Sequence, residues 1–222
     1  DTSGAANGNF TPLPDNARPT AVTGQLGVAA QYNGSTQYHT RAHSDNLNFT
    51  TGSFTVACWI KPNSSQNSWA TILQKRTSSN GIDGYTLQYY SSSDRLIRFY
   101  VYDTTWRYVE VNVDHRIWNH IVVVRNGTNL KMYLNGTVAN PTTIASSIVG
   151  GGNSPFTLGA ANDGSSKYTG ALDELAVWSR ALSEADVRNA YRLQLGGAGK
   201  DSTGESSHMK VIGTPSFVTG KV

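Results

Sequence analysis

Cysteine is almost missing: the 222-residue chain has one, Cys58, so no disulfide can form within it. Charge is scarce too, at 15% of residues, and sums to +3. A charge so small and scattered argues against nucleic acid as a partner. No apolar run is long enough for membrane insertion, and no signal peptide is found; a chain opening on DTSG without methionine reads as processed or excised. Motifs of several enzyme chemistries are lacking. His39, His43, His115, His120 and His208 show no zinc spacing such as H-E-x-x-H, and no G-x-S-x-G, phosphate loop or dinucleotide fingerprint occurs.

Glycine (22), tyrosine (11) and tryptophan (5) are what the chain does have. Low charge with many turn formers and aromatics suits a secreted β-sandwich better than a cytosolic helical enzyme. The length fits one large all-β domain or two small ones. Strand-like segments recur at 38–40, 54–61, 70–75, 84–90, 95–102, 108–113, 120–125, 129–134, 156–158 and 171–178, with Gly, Asn and Ser between them. In the second, Phe54, Val56, Cys58 and Ile60 alternate with Thr55, Ala57 and Trp59. This spacing predicts a two-sheet antiparallel β-sandwich rather than βαβ units, because lone hairpins cannot bury so many aromatics. Cys58 is then a small buried hydrophobe. Asn-x-Ser/Thr sequons occur at Asn9, Asn33, Asn48, Asn63, Asn126 and Asn135. The last two, each followed by Gly, read as hairpin turns that want positive φ.

Near the end the period changes. Residues 171–178 have strand spacing with apolar groups on both faces. Ser183 then opens one short C-terminal helix, with Asp186 completing a capping box and Leu182 and Val187 forming the staple.

Three stretches carry a family likeness: GALDELAVWSRALSEADVRNAY (170–191), FTVACWIKP (54–62) and WNHIVVVRNGTNLKMYLNGT (118–137). In order and spacing they resemble the laminin-G-like jelly-roll domains of the concanavalin A-like lectin/glucanase superfamily. The resemblance spans roughly residues 22–192. It implies a jelly roll, but the superfamily holds lectins, glycan-binding modules, adhesive domains and glycosidases, so fold alone does not set function. Its glucanases place carboxylates at E-x-D-x-x-E or E-x-D-x-E on one strand, where alternation aims them into one cleft. That pattern is absent here. Glu110 and Asp114 form the nearest cluster; Asp173 and Glu174 are adjacent and point to opposite faces; Glu184 and Asp186 belong to the helix cap. The resemblance also implies a structural Ca2+ held by Gly34, of the Tyr32-Asn33-Gly34 turn, and by Asp173, with Asn33 nearby. A ligand from the first strand is missing, and the alternative is that Asp173 accepts backbone N–H bonds.

Residues 1–192 read as one domain, 193–200 as a Gly-rich linker, and 201–222 as the start of a second repeat or a disordered tail. Asp1-Thr2-Ser3-Gly4 matches Asp201-Ser202-Thr203-Gly204, and Val22-Thr23-Gly24 matches Val218-Thr219-Gly220, at offsets of 200 and 196. Self-similarity at a domain-length offset marks a tandem array.

Sugar recognition needs flat aromatic faces and planar polar groups. If Ile97, Phe99 and Val101 face the core, then Arg98, Tyr100 and Tyr102 face outward. By the same alternation Gln88 and Tyr90 face outward on one neighbouring strand, with Trp106, Tyr108 and Glu110 on the other. Gln88, Tyr90, Arg98, Tyr100, Trp106, Tyr108 and Glu110 thus make the candidate ligand surface; the bland reading is an exposed sheet face filled with good strand formers. Trp69 and Trp106, near turns, are the better aromatic candidates, while Trp59, Trp118 and Trp178 read as core. The expected function is a non-catalytic binding or adhesion module, secreted or at the cell surface. Its expected partner is a polysaccharide or other glycan, or a neighbouring protein domain. The alternatives are a structural or protein-interaction repeat and, less favoured, a divergent glycosidase.

Overall fold

Alternating apolar positions build two antiparallel sheets that close on each other. The structure, a computed structural model, describes residues 15–78, 81–90, 95–139, 141–195 and 210–212. In chain order the strands are β1 (Thr20–Thr23), β2 (Val28–Asn33), β3 (His39–Arg41), β4 (Phe54–Pro62) and β5 (Thr71–Lys75). Next come β6 (Tyr85–Tyr89), β7 (Leu96–Tyr102), β8 (Trp106–Asn112), β9 (Asn119–Asn126) and β10 (Asn129–Leu134). The last are β11 (Thr137–Val138), β12 (Thr142–Thr143), β13 (Phe156–Leu158), β14 (Thr169–Trp178) and β15 (Lys210–Ile212), with helix α1 (Glu184–Leu195) between the final two. One sheet runs β1-β2-β14-β4-β9-β10-β11, with β12 on β10 and β15 on β14. The other runs β3-β13-β5-β6-β7-β8. The expected sandwich with one short helix is what forms.

Between the sheets lie Phe54, Val56, Cys58 and Ile60 of β4, facing Tyr85, Leu87 and Tyr89 of β6 and Ile97, Phe99 and Val101 of β7. The Phe54, Tyr85 and Phe99 rings lie within about 6 Å of one another, aromatic packing that adds to the gain from burial. A third layer covers the first sheet. Leu182 and Val187 of the helix region meet Ala57, Val122, Val124 and Tyr133 on the sheet's outer side, so the staple and the sheet share one apolar cluster. The capping box forms as expected: the Ser183 hydroxyl accepts from the Asp186 N–H, and the Asp186 carboxylate accepts from the Ser183 N–H, both at 3.1 Å. Trp59 is buried under this helix against His120 and Tyr191 rather than between the sheets. Trp178 flanks the same layer, and Trp118 is only half-buried, with the Lys61 amine over its ring. Trp59 is buried as expected, but on the helix side, because α1 gives the first sheet a second buried face that alternation alone does not reveal; Trp118 and Trp178, expected as core, are only partly buried.

Strand β14 departs from simple alternation. Strict period two would put Leu172 and Val177 on opposite faces, yet both join the inter-sheet core with Leu175. The register shifts between Asp173 and Ala176, and Glu174 takes φ 48° there. The extra residue of this bulge reverses the parity of the strand. Beyond the bulge β2 no longer pairs with β14, and β15 lies beside Ala176–Trp178 in parallel. The helix runs to Leu195, into the stretch expected as linker. Residues 1–14 and the other parts of 196–222 lie outside the described residues, as does the repeat reading of them.

Two cations sit wholly inside. Lys75 donates to the carbonyls of Ser154 (2.9 Å) and Gly152 (3.3 Å) and approaches His43 Nδ1 at 3.1 Å. Arg125 donates to the carbonyls of Thr50, Gly52, Gly127 and Ser146, at 2.7–3.2 Å.

His120 sets an acid limit. Burial lowers its pKa to about 4, from the ordinary 6.5. The folded state therefore refuses a proton that the unfolded chain takes up below the ordinary value. The stabilisation is whole above pH 6.5 and is lost as pH falls toward 4, by about 3 kcal/mol in all. Burial lowers His39 to about 4 as well, so urea unfolding at the two ends of that window should show the loss from both histidines, and His120→Gln should remove about half of the difference; an equal pH slope in both proteins would contradict it.

Candidate functional site

The outer face of the second sheet is covered on one half and bare on the other. Thr157, Gln74 and Thr86 stand in register across β13, β5 and β6 on the side away from the core, yet all three are buried. The loop after β13 lies over them. Its Asn162 accepts from the Gln74 amide at 3.2 Å and donates to the Arg76 carbonyl, and the Thr157 hydroxyl donates to the carbonyl of Ala160 at 2.9 Å. The bare half is β7 with its neighbours, and there alternation is clean. Leu96, Arg98, Tyr100 and Tyr102 are partly exposed, while Ile97, Phe99 and Val101 between them are fully buried.

Register then gathers the candidate residues. Gln88 stands opposite Arg98, Arg98 opposite Glu110, Tyr100 opposite Tyr108, and Tyr102 opposite Trp106. The Arg98 guanidinium is the centre. It lies over the Tyr90 ring at 3.7 Å and the Tyr108 ring at 4.1 Å. Its Nε donates to Glu110 at 2.6 Å and an Nη to the Tyr100 hydroxyl at 3.3 Å. Burial works to lower the Arg98 pKa, but the bonds to Tyr100 and Glu110 outweigh it and hold the group above its ordinary value. Burial raises Tyr100 in turn, with Arg98 pulling the other way. All seven residues named for the ligand surface thus lie on one face.

Aromatics extend the surface at both ends. Trp106 meets Tyr100 and Tyr102 at 6.1 and 5.2 Å, and the Arg76 guanidinium lies 4.5 Å from the Trp106 ring centre. At the other end the Trp69 ring stands edge-on to Tyr90 at 5.1 Å. Trp69 has φ 59° and is 43% exposed; Tyr90 and Tyr108 are each 40% exposed. A bulky residue in the left-handed region costs about 1–2 kcal/mol, so Trp69 is held out at a local expense. Neither that backbone nor Arg76, a buried cation behind Trp106, had been singled out from sequence.

The metal candidates do not converge. Asn33 pairs with Thr169 across β2 and β14, so Asp173, four residues further along, is roughly 13 Å away. Asn33 Oδ1 accepts the N–H groups of Ser35, Thr36 and Gln37, and the Gly34 carbonyl accepts from Asn67. The buried Asp173 accepts the N–H groups of Leu26 (3.0 Å) and Glu174 (2.9 Å). Burial raises its pKa, against those bonds and one from Gln25. These three residues therefore do not fit one calcium sphere; Asp173 ties the β1–β2 turn to the bulge of β14. Among the described residues no three His, Cys, Asp or Glu groups gather as metal ligands. The two carboxylates nearest to a catalytic cluster are each paired with an arginine, Glu110 with Arg98 and Asp114 with Arg95.

Solved structures share this architecture. The binding domain of Paraclostridial Mosquitocidal Protein 1 superposes with a TM-score of 0.67 at 18% identity, covering 86% of this chain and 48% of that one. Domain 4 of AbnA, a GH43 extracellular arabinanase from Geobacillus stearothermophilus solved with arabinotriose, gives 0.60 at 19%, covering 78% and 80%. The ligand binding domain of Botulinum neurotoxin serotype D, solved with N-acetylneuraminic acid, gives 0.66 at 14%, covering 85% and 47%. The chain thus spans about half the length of the toxin domains. Among curated proteins nothing matches it. A laminin G family model, described as the concanavalin A-like lectin/glucanases superfamily, matches residues 33–188. With its sandwich and its sequence in agreement over more than half its length, the chain belongs to the concanavalin A-like lectin/glucanases superfamily.

Proposed function

We propose that the protein is a non-catalytic carbohydrate-binding module, secreted or at the cell surface. The observation that carries this is the bare half-sheet on which a guanidinium stacks between two tyrosines and meets a carboxylate. Flat rings suit the C–H faces of sugars, and the guanidinium, carboxylate, hydroxyl and amide groups suit their hydroxyls. Two of the similar structures hold a sugar, arabinotriose in one and N-acetylneuraminic acid in the other. Among the described residues no helix is long and apolar enough to cross a membrane. A glycan array followed by calorimetry tests the reading. Trp106→Ala should weaken binding about tenfold, since stacking of this kind contributes on the order of 1 kcal/mol or more. Tight binding to a protein with none to any polysaccharide would remove the reading.

A second reading, a repeat whose partner is an adjoining copy, is favoured by β15. Lys210–Ile212, within the 201–222 stretch that reads as the start of a second repeat or a tail, add a strand to β14. Val211→Pro should deprotect the amides of Ala176–Trp178 in hydrogen exchange if that strand matters.

A further inference from the structure

On the carbohydrate reading, we infer that the ligand is an uncharged, extended oligosaccharide lying along β7, and that the Arg98–Glu110 pair excludes acidic sugars. The first ground is charge. The central cation of this face has its own carboxylate, Arg98 with Glu110 at 2.6 Å, and at its margins Arg95 meets Asp114 at 2.5 Å and Arg107 meets Asp103 at 3.4 Å. Three positive groups meet three negative ones, so these pairs add no net charge for an acidic or a basic ligand to read. Exposure sharpens the point. The Glu110 side chain is 36% exposed and Arg98 only 14%. An incoming anion meets the carboxylate before the guanidinium, and like charges at such range repel. A neutral ring meets groups already balanced and can use them as hydrogen-bond partners, with the tyrosine faces beneath it.

The second ground is length. Leu96, Arg98, Tyr100 and Tyr102 are the outward positions of β7, and the strand from the first to the last spans roughly 20 Å at ~3.4 Å per residue. Aromatic groups stand at both ends, Trp69 with Tyr90 at one and Tyr102 with Trp106 at the other. The loop at Asn162 covers the β5 side of the face, which leaves the strip parallel to β7 as the open course. One sugar ring can reach only one end of such a strip; several joined rings are needed to use both.

Calorimetry on the full chain tests this with arabino- and β-gluco-oligosaccharides of increasing length, beside oligogalacturonates and sialyllactose, at low and high salt. The neutral series should tighten about tenfold or more from the disaccharide to the tetrasaccharide, and change less than about twofold with salt. Glu110→Gln should shift the preference several-fold toward the oligogalacturonates, read as the ratio of their affinity to that of the neutral series in the same protein. Tighter binding of the acidic ligands to the unaltered protein, with loss at high salt, would overturn the inference. So would a monosaccharide as tight as the tetrasaccharide, or a Glu110→Gln protein in which that ratio does not move. If neither series binds, the carbohydrate reading itself falls.

Discussion

Arg125→Met should lower the stability of the fold by about 2–4 kcal/mol, the scale of losing several charge-assisted hydrogen bonds less the relieved cost of burying the charge. In a chain of this size that corresponds to a fall in Tm of about 10 °C. Arg125 is wholly buried, and the groups around it are carbonyls rather than carboxylates. Burial lowers its pKa, so holding the charge costs free energy that the carbonyl bonds must offset. Its planar fork reaches three separate segments: Thr50 and Gly52 before β4, Gly127 in the β9–β10 turn, and Ser146 after β12. Methionine would fill the stem's volume but supply no donor. The Thr50 carbonyl would keep the N–H of Ile148, while the carbonyls of Gly52, Gly127 and Ser146 would lose a charged donor that ties their three segments together. Arg125→Lys would rescue little, because a single ammonium has three donors and no fork. Arg18→Met, at an exposed ion pair, is the control and should cost less than about 0.5 kcal/mol. A Tm for Arg125→Met within a degree of the parent would refute this account of the clamp.

How far the sequence could be read depended on how many faces of each element are buried. Strand β7 is buried on one face only, and its alternation named Arg98, Tyr100 and Tyr102 as outward residues without ambiguity. Strands β4 and β9 are buried on both, by the core and by α1, so their pattern showed that they are strands but not which tryptophan lies where. Strand β14 could be placed, but its bulge could not, because an inserted residue leaves no compositional mark when both faces are apolar. The two- and three-residue strands β11, β12 and β15 are too short for any period to register. Within the candidate site the residue types were legible and their partners were not. Arg98 and Glu110 are twelve residues apart, and only the β7–β8 register brings them opposite. Arg125 and Lys75 carry no signal at all: a charged residue in a strand reads as exposed until surrounding carbonyls show otherwise.

Arg98→Ala should weaken oligosaccharide binding by a hundredfold or more, roughly 3 kcal/mol, while lowering the stability of the fold by only about 1–2 kcal/mol. The two effects separate because the residue is joined to its neighbours on the surface and not to the core. Its side chain is 14% exposed and stands on the outward face of β7, whereas the flanking Ile97 and Phe99 bury completely on the other side. Removing the guanidinium takes the cation from between Tyr90 and Tyr108, and both rings lose the group that fixes their tilt. It also leaves the Glu110 carboxylate without its donor, in the middle of the strip a sugar would cross. The ligand would then meet two mobile rings and an unbalanced charge in place of an ordered, neutral surface. Arg98→Lys separates the causes. It keeps a cation that can sit between the rings but loses the planar bond to Glu110, so its binding should fall between the parent and Arg98→Ala. Near-UV circular dichroism would follow the rings directly, with the tyrosine signal diminished in Arg98→Ala and largely kept in Arg98→Lys. Full binding by Arg98→Ala with an altered tyrosine spectrum would place the sugar elsewhere on the domain, and the stacked arginine would then serve only to order an exposed sheet.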